Sequence, residues 1–151
     1  MKLQNPLKLR LWMMKNLPMG LVSGMSVEHL DETSCTVMLK DRFWIHNPFG
    51  SVFWAVMSMA AELSTGALLY AWSSGSKNKF ILVNVKATFL KKARGKTHYS
   101  CQSGPEVLRS IESLENPGDQ CTVDMPVIAQ DQAGQTIAEF QFTWSLKIPE
   151  K

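Results

Sequence analysis

The side chain that most suggests chemistry is Glu62, the single ionisable residue in an otherwise almost entirely apolar run from Val52 to Leu69. An unpaired carboxylate in an apolar interior is either energetically costly or neutralised by a proton. A helix carboxylate most often reaches solvent or a lysine. In this context we expect a partner, water or a cavity to accommodate it.

The helix face around Glu62 is polar and lined with small residues. Helical spacing places four polar residues on one stripe, at intervals of seven, four and three: Ser51, Ser58, Glu62 and Thr65. The bulky side chains of the segment mostly fall off that line. The stripe predicts one wall of a cavity. The alternative is a close contact with a neighbouring helix or strand that requires small residues.

The start of this segment contains a second candidate. Asn47 is a good N-cap and Pro48 suits the first helical position, so the pattern predicts a helix over about residues 48–72. The first turn of a helix presents unpaired N–H groups and the positive end of the dipole, which suit a developing oxyanion. On spacing alone, a simple cap is the favoured explanation of Asn47.

The segments around this helix alternate as strands do. The period-two pattern predicts extended segments at 20–29, 33–40, 80–90, 97–103, 121–129 and 138–148, with a short helix over 104–116. Pro126 indicates an edge or a bulge in the fifth of them. A strand-rich chain with one apolar helix closes its core by curling the sheet around that helix. The prediction is therefore an α+β hotdog fold with a single domain over 1–151.

The N-terminal segment is basic, and its apolar runs are interrupted by Lys8, Arg10 and Lys15, unlike those of a signal peptide. Apolar residues at helical spacing, Leu7, Leu11 and Met14, predict a short amphipathic helix that covers one end of the core. Contact with a membrane surface is the alternative role.

Composition narrows the classes of function. The chain has 151 residues, 45% of them hydrophobic, and a formal net charge of +3, which is too mild for a dedicated nucleic-acid binder. The three cysteines are scattered, which predicts free thiols in the cytoplasm and no metal site. Glu62 and the serines around it argue against a membrane span.

Four residues carry a resemblance to a known family. Asn47, Gly50 and Ser51 form the pattern N-x-x-G-S/T, and Glu62 follows fifteen positions after the asparagine. This pattern resembles the PaaI-type hotdog thioesterases, and the chain is closest to a subgroup with an A-E-L-x-T-G helix motif. The similarity extends from about Thr33 to Lys147, and it includes the strand at 80–90 with the basic turn after it.

The resemblance implies an acyl-coenzyme A thioesterase that works at a dimer interface, where Asn47 of one subunit faces Glu62 of the other. Glu62 would be the general base or the nucleophile, Asn47 would orient water or substrate, and the backbone N–H of Trp54 would polarise the carbonyl. Coenzyme A is then part of the substrate, and no further cofactor is implied. The substrate-binding set comprises Gly50, Ser51, Ser58, Thr65, Asn84, Lys91, Lys92 and Arg94.

Two segments depart from the family. Phe53, Trp54 and Ala55 stand where the family commonly has His-Gly-Gly, so a bulky side chain replaces a glycine that allows close approach to the thioester. Leu82 stands where a serine is often found, and Asn84 is the nearest polar substitute.

The basic turn after residue 90 has two interpretations. Lys91, Lys92 and Arg94 could hold the phosphates of coenzyme A, because clustered basic side chains neutralise phosphate oxygens. The turn could equally be a solvated hairpin tip.

Two other functions remain open. A hotdog dehydratase or hydratase would pair His46 with Glu62, although the helix lacks the expected E-A-x-A-Q run. A non-catalytic module that binds an acyl ligand is favoured by Trp54 and Leu82. For every one of these functions we expect a homo-oligomer, at least a dimer, because the strand at 80–90 is predicted to leave an exposed edge.

Overall fold

The computed structural model describes residues 6–73 and 75–150, with side chains from Arg10 onward. The helices are α1 (Pro6–Asn16), α2 (Pro18–Val22), α3 (Trp54–Ser73) and α4 (Gly104–Glu112), with a 3-10 turn at Phe43–Ile45. The strands are β1 (Met25–Leu30), β2 (Cys35–Lys40), β3 (Lys79–Phe89), β4 (Lys96–Cys101), β5 (Gln120–Asp131) and β6 (Thr136–Lys147).

In the described part of the chain, six strands form one antiparallel sheet in the order β1-β2-β4-β5-β6-β3. The long helix α3 contacts β1, β2, β4, β5 and β6, so the sheet curves around it. This arrangement confirms the predicted hotdog fold. Within the described residues, no helix combines the length and the apolar character that a bilayer crossing requires.

The strand alternation that the sequence predicted is present in the core. On β5, Val123, Met125 and Val127 are buried while the residues between them are exposed. Pro126 is compatible with this strand because the pairing of β5 with β4 ends at Val127. Pro126 therefore has a partner in β6 but none in β4. Buried cysteines, Cys35 and Cys101, face each other across β2 and β4, and burial raises the pKa of both thiols.

Two predicted boundaries are wrong. The long helix begins at Trp54, so Asn47 is not its N-cap, Pro48 is not its first residue, and Ser51 precedes it. The predicted strand at 20–29 is split, because its first residues belong to α2.

The amphipathic face of α1 is also different from the predicted one. Met13 is 1% exposed and enters the core, whereas Leu11 and Met14 are 53% and 60% exposed. The side chain of Leu7 lies outside the described residues. Helix α1 does cover one end of the core, but it does so through Met13 and not through Leu11 or Met14.

Candidate functional site

Glu62 lies on α3 at the wall of a cavity of about 550 Å³. The carboxylate is half-buried, and among the described residues it forms no ion pair and accepts no hydrogen bond from a side chain or backbone amide. The cavity walls are mainly apolar, and the described residues that line it include no lysine, arginine or histidine. A cavity, and not a cationic partner, therefore accommodates the charge.

Burial alone raises the pKa of Glu62 above its ordinary value. A carboxylate with a raised pKa is a stronger base than a solvated one. The helix supplies rigidity, because Glu62 sits in the middle of a twenty-residue element. The Glu62 carboxylate can therefore act as a base toward a molecule that enters the cavity.

One wall of the cavity is built by Trp144 of β6. Its indole Nε1 donates a hydrogen bond of 3.0 Å to the Thr65 hydroxyl, which in turn donates one of 2.8 Å to the Glu62 backbone carbonyl. Thr65 is completely buried and does not line the cavity. Its observed role is to fix the indole against α3.

The other end of the cavity is closed by α1. Trp12 lines the cavity and packs on Tyr70 of α3, with ring centroids 5.2 Å apart. Phe80, at the start of β3, lines the same space. The cavity thus extends along α3 from Met59 to Ser73, a rise of about 21 Å at 1.5 Å per residue.

Asn47 organises the loop that leads into α3. Its side-chain Oδ1 accepts hydrogen bonds from the amides of Phe49 (3.0 Å) and Ser51 (3.3 Å), and its Nδ2 donates one to the Ser51 hydroxyl (3.1 Å). Gly50 closes the turn at φ +72°, a conformation that favours glycine. The Asn47 side chain therefore holds a loop and does not cap the helix.

A second cavity, of about 340 Å³, adjoins this loop. It is lined by Asn47, Ser51, Val52, Trp54, Phe89, Leu90, Lys91 and Lys92. Five of these are residues that the sequence proposed for the site. The structure therefore gathers much of the predicted site at the start of α3, apart from Glu62.

The basic turn is tied to the same loop. Lys92 Nζ donates to the Phe49 carbonyl at 2.8 Å and Arg94 Nε to the Gly50 carbonyl at 3.3 Å, while Lys91 Nζ donates to Gln135 at 2.6 Å. All three side chains remain near solvent. Two of them, Lys92 and Arg94, brace the loop through these bonds.

The Trp54 amide is the first of α3. Among the described groups, its N–H has no acceptor. The first hydrogen bonds of the helix are donated by the amides of Val56 and Met57 to the Phe53 carbonyl. Such an amide at a helix start can donate to an incoming carbonyl oxygen. The indole of Trp54 is exposed beside it.

The remaining predicted residues lie apart. The Ser58 hydroxyl donates to the Trp54 carbonyl at 3.0 Å, and Asn84 is exposed on β3 and lines neither cavity. His46 does not line the Glu62 cavity, and its Nε2 contacts Asp41, which also accepts from the Gly95 amide. Within one chain, Glu62 and Asn47 therefore line different cavities.

Sequence reasoning missed the aromatic residues of the Glu62 cavity. Trp12, Tyr70 and Trp144 come from three separate elements, and each looked like an ordinary core or surface position. The sequence indicates Trp12 and Tyr70 only weakly as cavity residues, because their proximity depends on how α1 packs against α3.

Solved structures share this architecture. The chain is similar to a protein of unknown function, PA5026 from Pseudomonas aeruginosa, described as a probable thioesterase, with a TM-score of 0.79, 18% identity, and coverage of 95% of this chain and 96% of that one. It is also similar to a variant of thioesterase PA1618 from the same species, with a TM-score of 0.75, 17% identity, and coverage of 95% and 94%. These likenesses establish the class as the hotdog fold.

A third similar structure is a variant of the thioesterase SAV0944 from Staphylococcus aureus, with a TM-score of 0.69, 13% identity, and coverage of 86% and 98%. No match was found among the curated proteins. A family model described as "Domain of unknown function (DUF4442)" matches residues 9–146. The chain belongs to this family.

Proposed function

We propose that this protein is an acyl-thioester hydrolase that acts on acyl-coenzyme A, with Glu62 as its general base. The observation that carries the proposal is the half-buried Glu62 carboxylate, which has no described partner and faces a large, mainly apolar cavity. The structural neighbours described as thioesterases support the same reaction class.

In the proposed reaction, Glu62 takes a proton from water while the water oxygen bonds to the thioester carbonyl carbon. A backbone N–H stabilises the negative charge that develops on the carbonyl oxygen. Collapse of the tetrahedral intermediate then breaks the C–S bond, and the proton passes to the leaving thiolate. The products are a carboxylic acid and the free thiol of coenzyme A.

The two cavities become one site if two copies pair along β3. This strand hydrogen-bonds only to β6 within the described chain, and it exposes Ile81, Val83 and Val85. Phe80 at its start lines the Glu62 cavity, whereas Phe89 at its end lines the Asn47 cavity. Antiparallel pairing of β3 with its twin would therefore bring the Glu62 cavity of each copy beside the Asn47 loop of the other.

In such a homodimer, the Asn47 loop and the Trp54 amide would meet the thioester, and Lys91, Lys92 and Arg94 would meet the phosphates of coenzyme A. The acyl group would occupy the space between Trp12 and Trp144. We propose the cytoplasm as its compartment, because the cysteines are free thiols and two of them are buried.

The test is release of coenzyme A from a panel of short, medium and aromatic acyl thioesters. Glu62→Gln should lower the rate by about 10²- to 10⁴-fold, the usual contribution of a general base. The matched control is Glu139→Gln, an exposed residue of β6, which should leave the rate unchanged.

Four outcomes would contradict the proposal. Unchanged hydrolysis in Glu62→Gln would show that Glu62 is not the general base. Hydration of an enoyl thioester that is lost in His46→Ala would indicate the hydratase, and tight acyl-ligand binding without turnover would indicate the binding module. A fully active monomer in light scattering at micromolar concentration would contradict the shared site.

A further inference from the structure

Charge is unevenly distributed along this chain. Residues 1–27 contain four basic side chains and no acidic one, while residues 28–151 contain twelve basic and thirteen acidic ones. The net positive charge of the protein therefore comes from residues 1–27, which include α1, α2 and the start of β1.

A third cavity opens beside this segment. Its volume is about 340 Å³, and its polar rim carries Arg10, Lys40 and Arg42. None of the described residues that line it is acidic, and Asp41, between two of the cations, is engaged with His46 and the Gly95 amide. The walls below the rim are apolar: Met13, Leu21, Met25, Val27 and Met38. Such a cavity suits an anion attached to an apolar group.

Arg42 is the best-defined cation of the rim. Its Nε is buried without a hydrogen-bond partner among the described residues, and its guanidinium carbon lies 5.2 Å from the centre of the Trp44 ring. Gly24 makes this placement possible, because a Cβ there would lie 2.5 Å from the same Nε. Arg42 also lines the cavity, so its guanidinium group can meet a phosphate oxygen there.

Exposed apolar side chains lie on α2 and on the 3-10 turn, the segments next to the residues of this rim. Phe43 is 87% exposed and Trp44 is 61% exposed, and Met19 and Val22 of α2 are exposed as well. Trp44 Nε1 donates to the Val22 carbonyl at 3.0 Å, which joins the 3-10 turn to α2. Tryptophan beside basic residues is typical of proteins that lie at the membrane interface.

We propose that this basic-apolar face, defined by Arg10, Met19, Val22, Lys40, Arg42, Phe43 and Trp44, docks the protein on the surface of an anionic phospholipid bilayer. The lipid phosphate would bind between Arg10, Lys40 and Arg42, and the exposed apolar side chains would enter the interface. A second copy of the chain fits poorly, because it would bring two cationic rims together. The inference does not depend on the thioesterase proposal.

The test is flotation of the full-length protein with vesicles. We expect binding to phosphatidylcholine vesicles that contain phosphatidylglycerol, no binding to phosphatidylcholine alone, and loss of binding at high salt, because salt screens surface charges. Neutralising the pair Arg10→Gln and Lys40→Gln should weaken binding by about tenfold or more. The control pair, Arg109→Gln and Lys147→Gln, removes the same charge from α4 and β6 and should bind like the parent.

The apolar contribution is tested separately. Phe43→Ser should weaken vesicle binding, while Ile128→Ser, on the exposed face of β5, should not. Equal binding to both vesicle types, no binding to either, or equal losses in the test and control variants would each overturn the proposal. Self-association through this face, abolished by the Arg10 and Lys40 substitutions in light scattering, would also overturn it.

Discussion

The two cavities beside α3 differ in how their polar groups are used. In the first, the Glu62 carboxylate has no described partner and lies among apolar walls. In the second, the side chain of Asn47 makes several hydrogen bonds, and the cations Lys91 and Lys92 stand at the edge. One cavity holds an unsatisfied group, and the other holds a satisfied network.

This difference separates reactivity from scaffolding. A group without partners is available to a substrate but contributes little to folding or even opposes it. A group with several partners stabilises the fold and positions its neighbours. We therefore expect substitutions in the Glu62 cavity to change rates, and substitutions in the Asn47 loop to change stability first.

The largest effect on stability should come from Asn47→Ala. It leaves the Phe49 and Ser51 amides without their acceptor, and it should lower the free energy of unfolding by about 1–3 kcal/mol. Urea unfolding measures the change. Gln102→Ala is the control, because Gln102 is an exposed amide residue outside β3 and has no hydrogen bond through its side chain among the described contacts. Equal losses in the two variants would show that the loop network is unimportant.

A middle-sized effect is expected from Trp12→Ala. Removing the indole that closes the Glu62 cavity should raise the ratio of kcat/KM for long over short acyl thioesters by about tenfold, since a few additional methylenes could then be buried. Both kcat/KM values are measured on the same enzyme preparation, so the fraction of folded enzyme cancels from their ratio. Leu11→Ala, on an exposed position of the same helix, should leave the ratio unchanged. An unchanged ratio in Trp12→Ala would place the acyl group elsewhere.

The smallest effect should be a pH-dependent difference in stability between the parent and Glu62→Gln. Burial raises the pKa of Glu62 in the folded state, so the protonated form is favoured by folding. The associated stability is complete below the unfolded pKa, and it is lost as the pH rises through the folded pKa. The parent should therefore lose stability relative to Glu62→Gln over that interval, as measured by Tm against pH. A large loss of Tm in Glu62→Gln at neutral pH would instead show that the carboxylate is structural.

Much of the fold was predictable because strand alternation reports burial directly. The alternating residues of β5 and β6 fall on the expected faces, and the apolar run around Glu62 is the enclosed helix. The helix start was not predictable in the same way. Asn47 followed by Pro48 is a good capping signal, but the same asparagine can satisfy the amides of a loop, and Gly50 allows that loop to turn.

The site was predictable only in part, because cavities arise from packing between distant segments. Glu62 could be singled out from its apolar surroundings alone. Trp12 and Trp144 could not, because one is brought to the cavity by the docking of α1 and the other by a hydrogen bond to Thr65. The face of α1 was misassigned for a related reason, since Leu11 and Met13 are similar in hydrophobicity and only tertiary contact separates them.

The open edge of β3 has a consequence for how much protein a cell must hold. If catalysis needs two copies side by side along that strand, dilution below the dissociation constant of the dimer would inactivate each molecule without unfolding it. Activity per molecule would then rise with expression level until dimerisation is complete. The concentration of the protein in the cell would thus regulate its specific activity.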